Sequence, residues 1–89
     1  MTKVVVSMKI FPSDITINLN SLKEKVKSSL PEYASVHKFV EEPIAFGLVA
    51  LIAYIVFPEE KSGGLDDVEK HLRNIDGISE IEILMMWRA

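Results

Sequence analysis

Few side chains in this sequence are suited to making or breaking bonds. There is no cysteine, which excludes disulfides, thiolate metal sites and a thiol nucleophile together. The two histidines, His37 and His71, are too few and too scattered for a metal cluster. Asp67 and His71 are spaced i, i+4, so a helix would place them on one face, but no third ligand is apparent and a surface ion pair explains the pair as well. None of the serines, Ser62 included, lies in a Gly-x-Ser-x-Gly turn. Gly63-Gly64 lacks the spacing and the lysine of a phosphate-binding loop. The adjacent acids Glu41-Glu42, Glu59-Glu60 and Asp66-Asp67 read as solvated rims. An enzyme of covalent chemistry is disfavoured, and neither a metal nor a cofactor is expected.

Composition narrows the alternatives. Ten basic and thirteen acidic side chains give a net charge of −3, the reverse of the balance with which proteins neutralise a nucleic-acid backbone. Direct nucleic-acid binding is therefore not expected. Hydrophobic residues make up 48% of the 89 positions and charged ones 26%, and a mean hydropathy of +0.21 excludes disorder. The chain has the length of one domain, residues 1–89. Ile44 to Phe57 contains no charge, yet it is shorter than the roughly 20 residues of a membrane span. Charged residues flank it on both sides, at Glu41-Glu42 and at Glu59-Glu60-Lys61, so a buried strand is the better reading. No signal-peptide hydrophobic region is visible in Met1 to Lys9. A cytoplasmic protein without a membrane partner is expected.

Periodicity supplies the elements that must position any site. Val4, Val6, Met8 and Ile10 alternate with Lys3, Ser7 and Lys9, which predicts a half-buried strand that stops at Pro12-Ser13-Asp14. Leu19, Leu22, Val26 and Leu30 form a helical stripe with Asn18 or Asn20 as N-cap, ended by Pro31. On this helix Lys23, Lys25 and Lys27 read as a solvated face. A second strand is expected over Ser35–Val40, a loop over Glu41–Phe46 turning at Pro43, and a third strand over Gly47–Phe57. After a polar stretch through Gly63-Gly64, Leu65, Val68, Leu72 and Ile75 predict a second helix, with Asp66 and Asp67 in its first turn and Gly77 as its stop. A last strand runs from Ile78 to Trp87, where Ile81, Ile83, Met85 and Trp87 oppose Glu80 and Glu82.

Strand, helix, strand, strand, helix, strand predicts an α+β fold. It is the ferredoxin-like βαββαβ sandwich, a four-stranded antiparallel sheet of order 4-1-3-2 with two helices on one face. The other face stays open, although the third strand is apolar on both parities. A dimer partner or a client protein could cover it. The RNA-recognition motif shares this topology, and Phe46, Gly47 and Val49 echo its central signature. The echo fails at Ile44, Leu48 and Leu51, and the first strand offers valine and methionine where a stacking ring is needed.

The stretch Glu41-Glu-Pro-Ile-Ala-Phe-Gly-Leu-Val-Ala-Leu51 resembles the archaeal elongation factor 1-beta family. The resemblance extends through Asn18-Leu-Asn-Ser-Leu-Lys23, the helix start at Leu65-Asp-Asp-Val and the last strand. It implies the fold just derived and a function as a guanine-nucleotide exchange factor in translation elongation. The implied partner is the aminoacyl-tRNA-carrying elongation factor 1-alpha GTPase, in its GDP-bound and nucleotide-free forms. The resemblance further implies two anchors at one end of the sheet: Phe46 in the loop before strand three, and a basic residue next to the end of the sequence, matched by Arg88, which reaches the GTPase's Mg²⁺ and phosphate region. The eukaryotic relatives carry lysine at that position, and arginine's larger planar fork implies a different manner of insertion. Pro43, Ile44, Ala45 and Gly47 complete the loop, and Trp87 adjoins Arg88. Each has a structural alternative: Phe46 as the first core residue of strand three, Trp87 as core by parity with Ile81, Arg88 as a frayed end, Gly47 as a source of backbone freedom. Outside the resemblance, an RNA-binding or ribosome-associated module and a dimerising small-ligand regulatory domain of the same topology remain open.

Overall fold

The structure is a computed structural model describing residues 2–60 and 63–89. Lys61 and Ser62, part of the polar connection expected before the second helix, lie outside the described residues, as does Met1. The elements run β1 (Lys3–Pro12), α1 (Leu19–Ser29), β2 (Ser35–Pro43), β3 (Val49–Pro58), α2 (Gly64–Arg73) and β4 (Ile78–Arg88). They form one antiparallel sheet of order β2-β3-β1-β4, the expected 4-1-3-2 counted from its other edge. The expected ferredoxin-like α+β architecture is the one observed.

The core lies where the two periodicities meet. Val6, Met8 and Ile10 of β1 and Leu51, Ala53, Ile55 and Phe57 of β3 share one sheet face. They pack with Leu22 and Val26 of α1 and Val68 and Leu72 of α2. Asn18 caps α1, its Oδ1 accepting from the Ser21 amide at 3.0 Å, which satisfies one of the orphan donors of the first turn. Leu30, pressed by Pro31, leaves the helix at φ −70°, ψ 150°. On the other helix Asp67 faces outward, and Oδ2 accepts from the Tyr33 hydroxyl at 2.9 Å. Desolvation, then that hydrogen bond and the Asp67 charge, raise the Tyr33 pKa above its ordinary value.

Four features differ from the sequence reading, each for a physical reason. β2 continues through Glu41 and Glu42 to Pro43, because β2 is an edge strand and proline's missing donor faces no neighbour there. The two acids therefore alternate across the sheet and are not a solvated loop. Glu41 meets Lys23 of α1 at 2.9 Å on the helix side, and Glu42 meets Lys9 on the open side. Lys23 is accordingly a tie between helix and strand, whereas Lys27 pairs with Glu24 along the helix at 3.5 Å. β3 starts at Val49, two residues after Gly47, since the turn uses both Phe46 and Gly47. α2 ends at Arg73, and Gly77, at φ +98°, turns the chain into β4.

The fourth difference lies in β4. Ser7 pairs with Met85 but Met8 pairs with Ile83, so Leu84 is an extra residue and the alternation changes phase there. The Met85 amide donates to the Ser7 hydroxyl at 3.2 Å, a partner supplied by a side chain that is itself buried. Ile81 remains in the core. Trp87 does not join it: the bulge transfers it to the open face, opposite Val5. There its ring meets Tyr54 edge-on, centroids 6.2 Å apart.

Removing the Ser7 hydroxyl leaves that amide to water. Ser7→Ala should cost about 1 kcal/mol, well below the roughly 2–5 kcal/mol expected for Leu51→Ala in the centre of the core. Urea denaturation of both variants checks the ranking, and unchanged stability in Ser7→Ala would show that the bulge needs no side-chain acceptor.

Candidate partner-binding site

The turn between β2 and β3 is built from two local hydrogen bonds. The Ile44 amide donates to the Leu48 carbonyl at 2.8 Å, and the Leu48 amide to the Ala45 carbonyl at 2.9 Å. Closing so short a loop forces two consecutive residues into the left-handed region, Phe46 at φ +55° and Gly47 at φ +80°. Glycine accepts that conformation without cost, whereas for a bulky side chain it is an outlier. Phe46 is nevertheless there, with 98% of its surface exposed. An aromatic held in strained backbone with no intramolecular contact to reward it is the kind of outlier from which function is inferred. Ile44, also exposed, stands beside it, and Pro43 holds the entrance to the turn in β2. The reading of Phe46 as a core residue of β3 is overturned.

Arg88 closes β4. The backbone is held to the last position, the Ala89 amide donating to the Lys3 carbonyl at 2.9 Å and the Lys3 amide to the Ala89 carbonyl at 3.3 Å, so a frayed end is excluded. The Arg88 side chain is 75% exposed, with Nε 2.9 Å from Glu59 Oε1. Exposed pairs of this kind contribute about 0–1 kcal/mol, so the guanidinium can leave Glu59 for another acceptor at little cost.

Register corrects the expectation that both anchors share one end. Val4 faces Arg88 across β1 and β4, while Ile10 faces Leu51 across β1 and β3, which brings the Phe46 turn beyond Pro12. From Val4 to Pro12 the strand advances roughly 26 Å, and the molecule is 42 Å in its longest dimension. Phe46 and Arg88 stand at opposite ends. No sequence pattern signals this, because only the strand directions set it, yet the antiparallel order derived from the sequence already contains it.

The remaining candidates do not assemble into a reactive centre. His71 Nδ1 lies 2.7 Å from the Asp67 backbone carbonyl, so the i, i+4 pair forms no carboxylate contact. Among the described residues no three His, Cys, Asp or Glu side chains are grouped as metal ligands, and no helix is long and apolar enough to cross a membrane. Sequence reasoning missed the open-face position of Trp87, which depends on the bulge at Leu84.

The fold is an open α+β sheet with an exposed aromatic turn at one end and an exposed cation at the other. The chain belongs to the EF-1 guanine nucleotide exchange domain family, which it matches over residues 5–88. It is 46% identical to elongation factor 1-beta of Staphylothermus marinus over 99% of this chain and 98% of that protein. Likewise it is 42% identical to elongation factor 1-beta of Hyperthermus butylicus, covering 99% and 96%, and 45% identical to that of Sulfolobus acidocaldarius, covering 96% and 94%. A solved structure, the C-terminal domain of the MgtC protein from Mycobacterium tuberculosis, has a TM-score of 0.58 at 10% identity over 98% of this chain and 87% of that one. That likeness concerns the fold alone.

Relieving the strain at Phe46 should not weaken the fold. Phe46→Gly is expected to leave stability unchanged or raise it by up to about 1 kcal/mol, measured by urea denaturation. A loss larger than that would mean that the ring stabilises the fold.

Proposed function

We propose that this chain is a translation elongation factor that promotes exchange of GDP for GTP on elongation factor 1-alpha in the cytoplasm. It acts as one exchange domain, by protein contact and without a covalent step. The observation that carries this reading is membership of the exchange-domain family across residues 5–88, supported by end-to-end similarity to elongation factor 1-beta proteins.

Exchange requires no nucleophile. A GTPase holds its nucleotide through Mg²⁺ and a cradle of backbone amides around the phosphates, so a catalyst of release must weaken those contacts while stabilising the empty site. Arg88 is suited to the first task. Its permanent positive charge competes with Mg²⁺ for the same carboxylate and phosphate oxygens, and its five donors outlast the departure of either. Phe46, more than roughly 26 Å away along the sheet, cannot enter that metal site as well. It contacts a separate surface of the same GTPase, with Pro43, Ile44, Ala45 and Gly47 fixing its approach, and anchors the complex while Arg88 acts. Trp87 lies in the strand that delivers Arg88 and reaches the partner beside it.

Linkage completes the scheme. A factor that weakens GDP binding must bind the nucleotide-free GTPase more tightly than the GDP form by the same ratio.

Fluorescent-GDP release from the cognate GTPase tests both parts. Arg88→Ala should lower the maximal stimulated rate at least about tenfold, roughly the loss of one charged contact in the transition state. Arg88→Lys, keeping the charge, should recover much of it. Phe46→Ala should raise the half-saturating concentration about tenfold or more, with little change in thermal stability. Wild-type behaviour in Arg88→Ala and Phe46→Ala would remove the site assignment. No stimulation by the intact chain would remove the function.

A further inference from the structure

The open sheet face divides into two halves of opposite charge. Toward the Phe46 end it carries Glu42, Glu80 and Glu82, with Lys9 neutralising the first. Toward the Arg88 end lies a groove of about 480 Å³ floored by Val5, Tyr54, Val56 and Trp87. Its rim is basic. Lys3 stands on one side, and on the other a bulge between Val36 and Lys38 brings two consecutive side chains, His37 and Lys38, to the same edge. Among the described residues none of these three forms a salt bridge, nor do Lys25 and Lys70 on the helices, whereas Lys9, Lys23, Lys27, Arg73 and Arg88 each pair with a carboxylate. Lys38 instead rests over the Tyr54 ring, 4.7 Å from its centroid. A chain of net charge −3 thus gathers uncompensated cations around two aromatic rings at one place.

We infer that this groove docks a short acidic segment of the partner GTPase, with one large apolar side chain of that segment lying on Tyr54 and Trp87 and its carboxylates reaching Lys3 and Lys38. The inference rests on the exchange-factor reading and adds to it a third contact, at the end of the sheet from which Arg88 projects. Charge complementarity selects the occupant. A cation over an aromatic ring and an unpaired lysine opposite it favour carboxylates, and the apolar floor favours a side chain between them. The carboxylates of Glu80 and Glu82 on the other half limit the segment's length, because a continuing polyanion such as an RNA strand would run onto them.

The test pairs exchange kinetics with a spectroscopic probe of the groove. Trp87 is the chain's one tryptophan, so incorporating 5-fluorotryptophan gives a single fluorine resonance from the groove even in the presence of the GTPase. That resonance should shift on adding GDP-loaded GTPase. Lys3→Glu combined with Lys38→Glu should raise the half-saturating concentration for stimulated GDP release about tenfold, and high salt should reduce the difference from the parent chain. The same charge change at Lys25 and Lys70, exposed positions on the helices, should stay within about twofold of the parent, because exposed charges more than a Debye length from the contact are screened. Stimulation by the unaltered chain reads the exchange function separately, so its presence with unchanged half-saturation in the groove variant overturns the docking inference alone. Equal effects of the two double variants, or an unmoved fluorine resonance in the complex, would also overturn it. So would a short single-stranded RNA bound by the parent and lost in the groove variant, or a two-chain mass in solution that this variant reduces to one.

Discussion

The structure depends on the two-sided pairing of β1. This strand hydrogen-bonds β3 along one edge and β4 along the other, so its register fixes both neighbours at once. Because side chains alternate with period two, a slip of one residue on either side would turn Val6, Met8 and Ile10 away from the helices. The fully buried side chains of β1 and β3 hold that register against α1 and α2. The two proposed contact groups are attached to the ends of this frame. The β2–β3 turn projects past one end of β1, and Arg88 leaves beside the other.

Rigidity between the ends gives the arrangement its use. A sheet of this kind transmits position without bending much, so the Phe46 turn and the backbone at Arg88 keep a fixed separation, as the proposed contact with two surfaces of one partner requires. The two anchors differ in kind. Phe46 is held by backbone geometry, with a side chain that touches nothing else. Arg88 has a backbone held in the ladder and a side chain parked on Glu59. The first is preorganised for an apolar surface, the second is a mobile cation on a fixed base.

β-Bulges decide which side chains reach the open face. The extra residue at Leu84 moves Trp87 off the parity of Ile81 and onto the open face, and Ser7, buried beneath it, accepts the amide that the irregular pairing leaves over. The second irregularity, between Val36 and Lys38, sends two consecutive basic side chains to one rim. Without them the last strand would present strict alternation and the groove would lose both its tryptophan and part of its basic edge. Bulges near functional surfaces re-aim side chains in this way.

Period-two and period-3.6 patterns, proline and the asparagine cap were enough to read the order of elements, the central place of the first and third strands and the core face. Those signals are local, and each residue's neighbours in sequence carry them. The exchange-factor family was legible too, from the Glu41 to Leu51 stretch. Three matters needed the tertiary structure. The end of β2 was one, since Pro43 is acceptable only because the strand has no neighbour on that side. The orientation of Trp87 was another, because an inserted residue is visible only against the strand it pairs with. The last was the distance between Phe46 and Arg88: the antiparallel order read from the sequence already puts them at opposite ends, but only the register of the paired strands measures how far apart they stand. The sequence by itself determined which residues alternate, which cap and which resemble an exchange factor. Only the folded sheet decided which of them face outward and how far apart they stand, because facing and distance are properties of pairing between segments remote in the chain.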